Sequence, residues 1–173
     1  MNFEIRPPTP AEARAWEELR MASWRHAYAG TFTPQMFAAQ EQQLEARATG
    51  FADWLESTGG TGEDVQQQLG QRRRALVAVE AGEKDAPGKL LGLAFASQMP
   101  YEVQKLEMLY LLPEAFGTGA AQALMGQVLD LGPAELEVLS TNARAIRFYE
   151  KEGFAITRKD EFAGRKTYIM TRP

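Results

Sequence analysis

A run of small residues stands where an apolar strand leads directly into a predicted helix. The strand ends at Pro113, and the loop after it reads Phe116-Gly117-Thr118-Gly119-Ala120-Ala121. Glycine and alanine let a ligand approach the main chain closely. Unpaired N–H groups of the first helical turn then point at that ligand, and the helix dipole favours negative charge there. The loop therefore predicts a phosphate cradle of backbone amides, with a simple tight turn at Gly117 and Gly119 as the alternative.

The loop does not match two widespread phosphate-binding motifs. A P-loop has a lysine directly after its second glycine, and no lysine follows Gly119. The dinucleotide fingerprint needs a third Gly or Ala after two intervening residues, where this chain has Gln122. The sequence therefore indicates neither of these two nucleotide sites.

A second segment places an amide and a phenol on one face of a predicted helix. Asn142 follows a strand end and is a natural N-cap. Tyr149 lies about two turns, or ~10 Å, further along the same face. If that face is turned toward the loop, the two side chains can bind a long, thin ligand and act on its reacting end. The alternative is an asparagine cap followed by a half-buried tyrosine.

The N-terminal part of the chain predicts one strand and two helices. Residues 3–6 alternate as an edge strand does, and Thr9-Pro10-Ala11-Glu12 predicts a capping box that opens the first helix. Thr33-Pro34 begins a second helix that runs to Leu55. Residues 57–71 are expected to be a mobile connector.

The rest of the chain predicts mainly strands. Residues 75–79 and 90–97 form a hairpin across turn residues 82–88. The further elements are a strand at 106–112, a helix from 120, a strand at 136–139, a helix at 142–152 and a closing hairpin of 154–157 with 168–171. The predicted order is β-α-α-β-β-β-α-β-α-β-β, a three-layer α/β fold with a mixed sheet, in one domain over residues 1–173.

Together the two segments resemble the GNAT superfamily of acyl-CoA-dependent N-acyltransferases. Its signature is a strand ending in Tyr-Val-x-Pro, then Arg/Gln-x-x-Gly-x-Gly/Ala opening a helix, then Asn-x-x-Ala-x-x-Phe-Tyr-x-x-x-Gly-Phe. This chain has Tyr110-Leu111-Leu112-Pro113, the loop 116–121, and Asn142-Ala143-Arg144-Ala145-Ile146-Arg147-Phe148-Tyr149-Glu150-Lys151-Glu152-Gly153-Phe154. The resemblance implies the GNAT-like fold of small single-domain bacterial members, whose twisted sheet is mixed but mostly antiparallel and is flanked by helices.

The resemblance also implies an activity, a cofactor and the residues that serve them. The activity is N-acetylation of a primary amine, on a small molecule or a peptide N-terminus, with acetyl-CoA as donor. The backbone of Leu109 and Leu111 would pair with the pantetheine arm, amides of residues 116–121 would hold the pyrophosphate, and Asn142 would hydrogen-bond the pantetheine. Tyr149 would protonate the departing thiolate, a role that suits a phenol.

One position departs from the superfamily pattern. Phe116 stands where Arg or Gln is usual. The cradle consists of backbone N–H groups, so we expect coenzyme A binding to survive with some loss of affinity for the pyrophosphate. A non-catalytic acyl-CoA-binding or regulatory module on the same fold is the alternative function.

The amine must lose a proton, so a base is expected near the acceptor. Glu107 is the first candidate, because a carboxylate buried in an otherwise apolar strand costs free energy; the alternative is a mouth position beside Lys105. Glu137 is the second candidate, on the strand just before Asn142. His26 is the third, because its unperturbed pKa is suitable.

The segment around His26 supplies candidates for the acceptor pocket. Ser23-Trp24-Arg25-His26-Ala27-Tyr28-Ala29-Gly30 is similar to a Ser-Trp-Arg-x-x-Tyr-x-Gly run of small bacterial superfamily members, in which the first two helices wall the acceptor site. Trp24 and Tyr28 share a helix face, so Trp24, His26 and Tyr28 are predicted to form a pocket wall. Ordinary core packing is the favoured alternative.

Composition excludes several kinds of chemistry. The chain has 173 residues, no cysteine and one histidine, so disulfides, thiolate or multi-histidine metal sites and a cysteine-linked acyl-enzyme are all excluded. Direct attack of the amine on the thioester is therefore expected.

The net charge of −4 does not indicate nucleic-acid binding, and we expect Arg72-Arg73-Arg74 to be a solvated strand start. No apolar run approaches a ~18-residue membrane span. With no apparent signal sequence, we expect a cytoplasmic protein, and exposed edge strands are compatible with a homodimer.

Overall fold

The alternating and continuous apolar runs of the sequence form one mixed sheet between two layers of helices. The computed structural model of the chain describes residues 2–66, 71–81, 88–98 and 102–173. Its strands are β1 (Phe3–Arg6), β2 (Glu63–Gln66), β3 (Gln71–Glu80), β4 (Leu90–Gln98), β5 (Gln104–Leu111), β6 (Ala134–Leu139), β7 (Ala155–Phe162) and β8 (Arg165–Arg172). Its helices are α1 (Ala13–Tyr28), α2 (Pro34–Gln42), α3 (Leu44–Ser57), α4 (Ala120–Val128) and α5 (Ala143–Lys151), with short 3-10 turns at Pro10–Glu12 and Pro113–Ala115.

The strands follow the order β1-β3-β4-β5-β6-β8-β7, with β2 also paired to β3. Within the described residues the pairings are antiparallel, except that β5 and β6 run parallel. The predicted mixed, mostly antiparallel sheet is confirmed. The predicted hairpin turn at 82–88 lies outside the described residues except for Gly88.

The two faces of the sheet carry separate apolar clusters, which gives the predicted three layers. Alternate residues of β3 show the division. Ala75, Val77 and Val79 belong to a cluster with α1 and α3, whereas Leu76 and Ala78 belong to one with α4 and α5. Among the described residues, no helix combines the length and the apolar character that crossing a membrane requires.

The predicted second helix is two helices. The break lies at Gln43, between α2 and α3. Phe37 of α2 is buried in a cluster with Met21 and Phe32, but Phe51 of α3 packs on the cluster around Trp16. One straight helix cannot direct its apolar face to both places, and this explains the break.

The predicted connector at 57–71 contains a strand as well. Glu63 and Asp64 of β2 lie opposite Arg74 and Arg73 of β3, and residues 67–70 lie outside the described part of the chain. Glu63 forms ion pairs with Arg72 and Arg74, and Arg73 pairs with Asp64 at 2.5 Å. Opposite charges across the strands stabilise this pairing, which has no apolar alternation to reveal it. The three arginines thus start a strand, as expected, and meet carboxylates.

The parallel strands β5 and β6 separate soon after they pair. Their register ends at Leu106 and Leu136, although β5 continues to Leu111. On the other side of β5, Ala96 pairs with Leu106 but Phe95 pairs with Met108, so Glu107 is the extra residue of a bulge. A bulge bends a strand and re-aims its side chains. This one lies where the two strands diverge and a cavity opens.

Candidate functional site

A cavity of about 510 Å³ lies between the separated ends of β5 and β6. The end of α1, the loop before α4 and one face of α5 complete its walls. The predicted cofactor-binding residues in its lining are Leu109, Leu111, Phe116, Gly117, Gly119, Ala121 and Asn142. The predicted catalytic and acceptor residues there are Glu107, Glu137, Tyr149, His26 and Tyr28. Of the other predicted residues, Thr118, Ala120 and Trp24 lie outside the lining.

The loop before α4 presents free backbone donors to this cavity. Gly117 and Gly119 have φ of +76° and +89°, a left-handed conformation that glycine adopts without strain. Within the described residues, the N–H groups of Gly117, Gly119, Ala121 and Gln122 have no acceptor in the protein. A β-carbon at either glycine would have no protein atom within 4 Å. Free amides beside open space at the N-terminus of α4 suit an anionic group.

The Thr118 side chain stabilises the loop by hydrogen bonds within it and does not line the cavity. Its Oγ1 donates to the carbonyl of Ala115 at 2.7 Å and accepts from the amide of Ala120 at 3.4 Å. These bonds are local, so they fix the turn between the two glycines. The amides of Phe116, Thr118 and Ala120 already donate within the loop, so in the described structure the free amides of the predicted cradle are those of Gly117, Gly119 and Ala121.

The edge of β5 that leaves β6 has unpaired backbone groups. Beyond Leu106 no β6 partner is present for it in the described chain. One carbonyl there, that of Leu111, accepts from Ser23 Oγ of α1 at 3.1 Å. A carbonyl oxygen has a second lone pair, so it remains available to an extended ligand. This edge can accept one more strand-like partner.

Asn142 serves two purposes in the protein itself. Its Oδ1 accepts from the amide of Ala145 at 3.1 Å, which is the predicted N-cap. Its Nδ2 donates to Tyr28 Oη at 3.4 Å and so connects α5 to the end of α1. One side-chain N–H remains for a ligand.

Tyr149 brings a buried hydroxyl to the cavity. Only 9% of the residue is exposed, and its ring packs against Phe148 and Phe154. No hydrogen-bond partner for its hydroxyl is present among the described residues, although the residue lines the cavity. Burial raises the pKa of Tyr149 above its usual value, and Tyr110 and Tyr28 add to the effect. The hydroxyl therefore stays protonated at neutral pH and is free to donate.

Trp24 stands behind the cavity wall and orients another phenol. Its Nε1 donates to Tyr110 Oη at 3.0 Å, and its ring stacks on Phe32 with centroids 5.2 Å apart. Tyr110 itself lines the cavity, and burial raises its pKa to about 12. In the sequence, Tyr110 is identifiable only as part of the strand motif. Because the bond joins residues far apart in the chain, no local pattern predicts it.

The two candidate carboxylates occupy equivalent positions on neighbouring strands. Glu107 and Glu137 directly follow the last β5–β6 pair. Glu107 is exposed rather than buried, accepts from Ser97 Oγ at 2.7 Å and has Lys105 Nζ 3.6 Å away. The expectation of a buried, unpaired Glu107 is therefore wrong, because the bulge turns it to the cavity mouth beside its cation. Glu137 accepts from Thr167 Oγ1 at 2.7 Å, and the described residues give it no basic partner.

His26 lies at the outer end of the cavity. It is exposed, and its ring centroid is 5.7 Å from that of Phe116. Tyr28, two residues later, is half-buried and its hydroxyl accepts from Asn142. The end of α1 therefore contributes one exposed imidazole and one half-buried phenol to the same wall.

Comparison with known proteins agrees with this geometry. Residues 15–154 match the description "Acetyltransferase (GNAT) family". An uncharacterised N-acetyltransferase of Mycobacterium tuberculosis is 39% identical over 95 residues, which cover 49% of this chain and 61% of that protein. The fold of this chain is similar to the crystal structure of PaiA N-acetyltransferase from Thermoplasma acidophilum in complex with coenzyme A. The TM-score is 0.70, at 19% identity over 99% of both chains. Ard1 from Thermoplasma volcanium has a TM-score of 0.63, at 18% identity over 99% of this chain and 97% of that one.

The two structural likenesses show the same fold, and the family match goes further. It extends from the first turn of α1 to Phe154, so it includes every element that lines the cavity. The free amides and left-handed glycines of the loop also fit a phosphate-bearing cofactor, as described above. The resemblance that the two sequence motifs predict is confirmed. The chain belongs to the acetyltransferase (GNAT) family, whose N-acetyltransferases take the acyl group from acyl-CoA.

Proposed function

We propose that the protein moves an acetyl group from acetyl-CoA to a primary amine, carried by a small molecule or a peptide N-terminus, by direct attack. One observation supports this most. One cavity contains free loop amides, a buried Tyr149 hydroxyl that has no partner among the described residues, and carboxylates on the diverging strands. An anion site, a proton donor and a proton acceptor are the groups that acyl transfer to an amine needs.

The donor would lie along the open edge of β5. The free amides of Gly117, Gly119, Ala121 and Gln122 would hold its pyrophosphate. The backbone of Leu109 and Leu111 would pair with pantetheine, and the remaining N–H of Asn142 would add one bond. Acetyl-CoA supplies the acetyl group as an activated thioester. Since the chain has no cysteine, the acceptor amine itself is the nucleophile.

Tyr149 and a glutamate divide the proton transfers between them. Tyr149 Oη is protonated and donates to the leaving sulfur. Glu137 accepts the proton that the attacking amine loses, directly or through water. We favour Glu137 over Glu107, because the Glu107 carboxylate already has Ser97 Oγ at 2.7 Å and Lys105 Nζ at 3.6 Å, whereas Glu137 accepts from Thr167 Oγ1 and has no basic partner among the described residues. Glu107 and the end of α1, with His26 and Tyr28, would then contact the acceptor.

The function is tested by release of free coenzyme A thiol from acetyl-CoA across a panel of primary amines and peptides with free N-termini. We expect amine-dependent thiol release and an N-acetylated product by mass spectrometry. Binding of acetyl-CoA without turnover on any acceptor would instead support the acyl-CoA-binding module. Binding of ATP or NAD but not coenzyme A would contradict both.

The preference for Glu137 over Glu107 as the general base gives a separate prediction. We expect Glu137→Gln to lower kcat by about a hundredfold or more, as loss of a general base does. Glu107→Gln should change mainly the KM for the amine, because an acceptor cation loses a counter-charge. The two variants are matched in chemistry and strand position, and steady-state kinetics on the best amine separates them. A larger kcat loss in Glu107→Gln would reverse the assignment.

A further inference from the structure

A guanidinium lies on the aromatic ring at the start of the phosphate loop. Arg144 Cζ of α5 is 3.0 Å from the ring centroid of Phe116, close enough for a cation–π contact. Both residues line the cavity, next to Gly117. The ring is the one that replaces the usual Arg or Gln of the superfamily loop, so a positive charge does stand there, supplied by a different element.

The position of Arg144 is unfavourable for α5 on its own. Arg144 is the second residue of the helix, where the positive end of the dipole disfavours a cation. Although Arg144 is exposed, desolvation of its guanidinium by the neighbouring protein adds to this, since it lowers the pKa of Arg144. Within the described residues no carboxylate pairs with it, whereas Arg72, Arg73 and Arg74 all meet acids. A cation held at such a site suits an anion that comes from outside the protein.

We infer that Arg144, held by stacking on Phe116, binds the phosphate groups of the acyl-CoA donor together with the loop amides. Stacking uses the face of the guanidinium and leaves its N–H edge free to donate to phosphate oxygens. It also restricts the side chain before the ligand arrives, which reduces the entropy lost on binding. The inference rests on the proposed function, because it assigns a residue to the donor site.

The experiment compares coenzyme A with pantetheine, which has no phosphate groups. Isothermal titration would measure the Kd of both for wild type and Arg144→Gln. We expect Arg144→Gln to weaken coenzyme A binding by about tenfold to a hundredfold, the range for a charge-assisted hydrogen bond, and to leave pantetheine unchanged. The salt dependence of coenzyme A binding should also decrease. A structural role of the stack alone would move neither the ratio of the two Kd values nor the salt dependence.

Arg147→Gln is the matched control. Arg147 is an exposed arginine on the same helix and lies outside the cavity lining, so its loss should leave both Kd values unchanged. Phe116→Leu keeps an apolar side chain but removes the ring, and we expect it to weaken coenzyme A binding several-fold. Because Phe116→Leu keeps Arg144 in place, it also covers the case that Arg144→Gln folds poorly. The double variant Phe116→Arg/Arg144→Gln should restore affinity from the loop position.

The outcomes separate this inference from the proposed function. If wild type binds neither coenzyme A nor acetyl-CoA, the proposed function fails and the inference fails with it. If wild type binds coenzyme A and Arg144→Gln binds it equally well, only the inference is overturned. If Arg144→Gln weakens coenzyme A and pantetheine equally, Arg144 supports the shape of the site instead of binding phosphate, and the inference is again overturned.

Discussion

Gly119→Val should abolish binding of acetyl-CoA. At φ of +89° the backbone of Gly119 is in the left-handed region, which costs a side-chain-bearing residue about 1–2 kcal/mol and a β-branched one more. The valine side chain would point away from protein atoms into the open space beside the loop. It would keep the phosphates from the free amides. Two lost amide bonds to an anion, at about 1.5–3 kcal/mol each, correspond to at least a hundredfold increase in Kd.

Gly126→Val is the control for this substitution. Gly126 lies within α4, the helix that Gly119 precedes. It is exposed and has open space around a β-carbon, but its backbone is helical. We expect its variant to bind acetyl-CoA as wild type does. Isothermal titration measures both, and thermal unfolding shows whether either change destabilises the fold. Wild-type affinity in a folded Gly119→Val variant would exclude the loop as the phosphate site.

Local signals predicted the parts of the fold that depend on neighbouring residues. Thr9 donates its amide to the Glu12 carboxylate at 2.8 Å, and Asn142 caps α5, because capping residues act within one turn. Gly153 ends α5 with φ of +86°, as a C-terminal glycine does. The hairpin of β3 and β4 follows from two apolar runs with turn residues between them. In each case the physical cause lies within a few residues.

Features that depend on distant partners were not predictable. The break at Gln43 arises because two apolar clusters lie on different sides, and β2 forms because its acids meet arginines of β3. Neither partner can be read from the local pattern. Both features nevertheless leave the three-layer order unchanged, since they divide or extend elements at the periphery of the sheet.

In the candidate site, too, local features were predictable and features that depend on distant partners were not. The motifs predicted the loop amides, the cap and the face of α5, because these are properties of a turn or a helix. The sequence left two placements open for Glu107, and its position beside Lys105 was the alternative, because the choice between the two depends on a bulge opposite β4. The sequence also does not predict that Arg144 stacks on Phe116, although both residues lie inside the two motifs. Spacing identifies which elements meet, but the side-chain contacts between them depend on the packed structure.

Tyr149→Phe should lower kcat strongly and leave binding of acetyl-CoA nearly unchanged. Loss of a general acid costs about 10²- to 10⁴-fold in rate, and we expect a decrease in this range. The ring stays in place between Phe148 and Phe154, so the cavity keeps its shape. The hydroxyl has no partner in the described protein, so the fold loses no hydrogen bond. The melting temperature should therefore equal or exceed that of wild type.

Tyr168→Phe is the matched control. Tyr168 is a partly buried tyrosine of β8 that packs on the same apolar cluster as Tyr149 but lies outside the cavity lining. Its variant should keep the wild-type kcat. Steady-state kinetics gives the rates, and titration with acetyl-CoA gives the affinity. A Tyr149→Phe enzyme with an unchanged kcat would exclude the phenol as the proton donor.

The pH dependence of kcat tests the same role without a substitution. Because burial raises the pKa of Tyr149 above the usual value of about 10, the acid stays protonated as the pH rises to that value. The wild-type rate should rise as the amine loses its proton and should show no descending limb up to about pH 10. In Tyr149→Phe the level should be lower and the ascending limb should keep its position. A descending limb below about pH 9 that disappears in Tyr149→Phe would show an acid of lowered pKa and contradict the buried phenol.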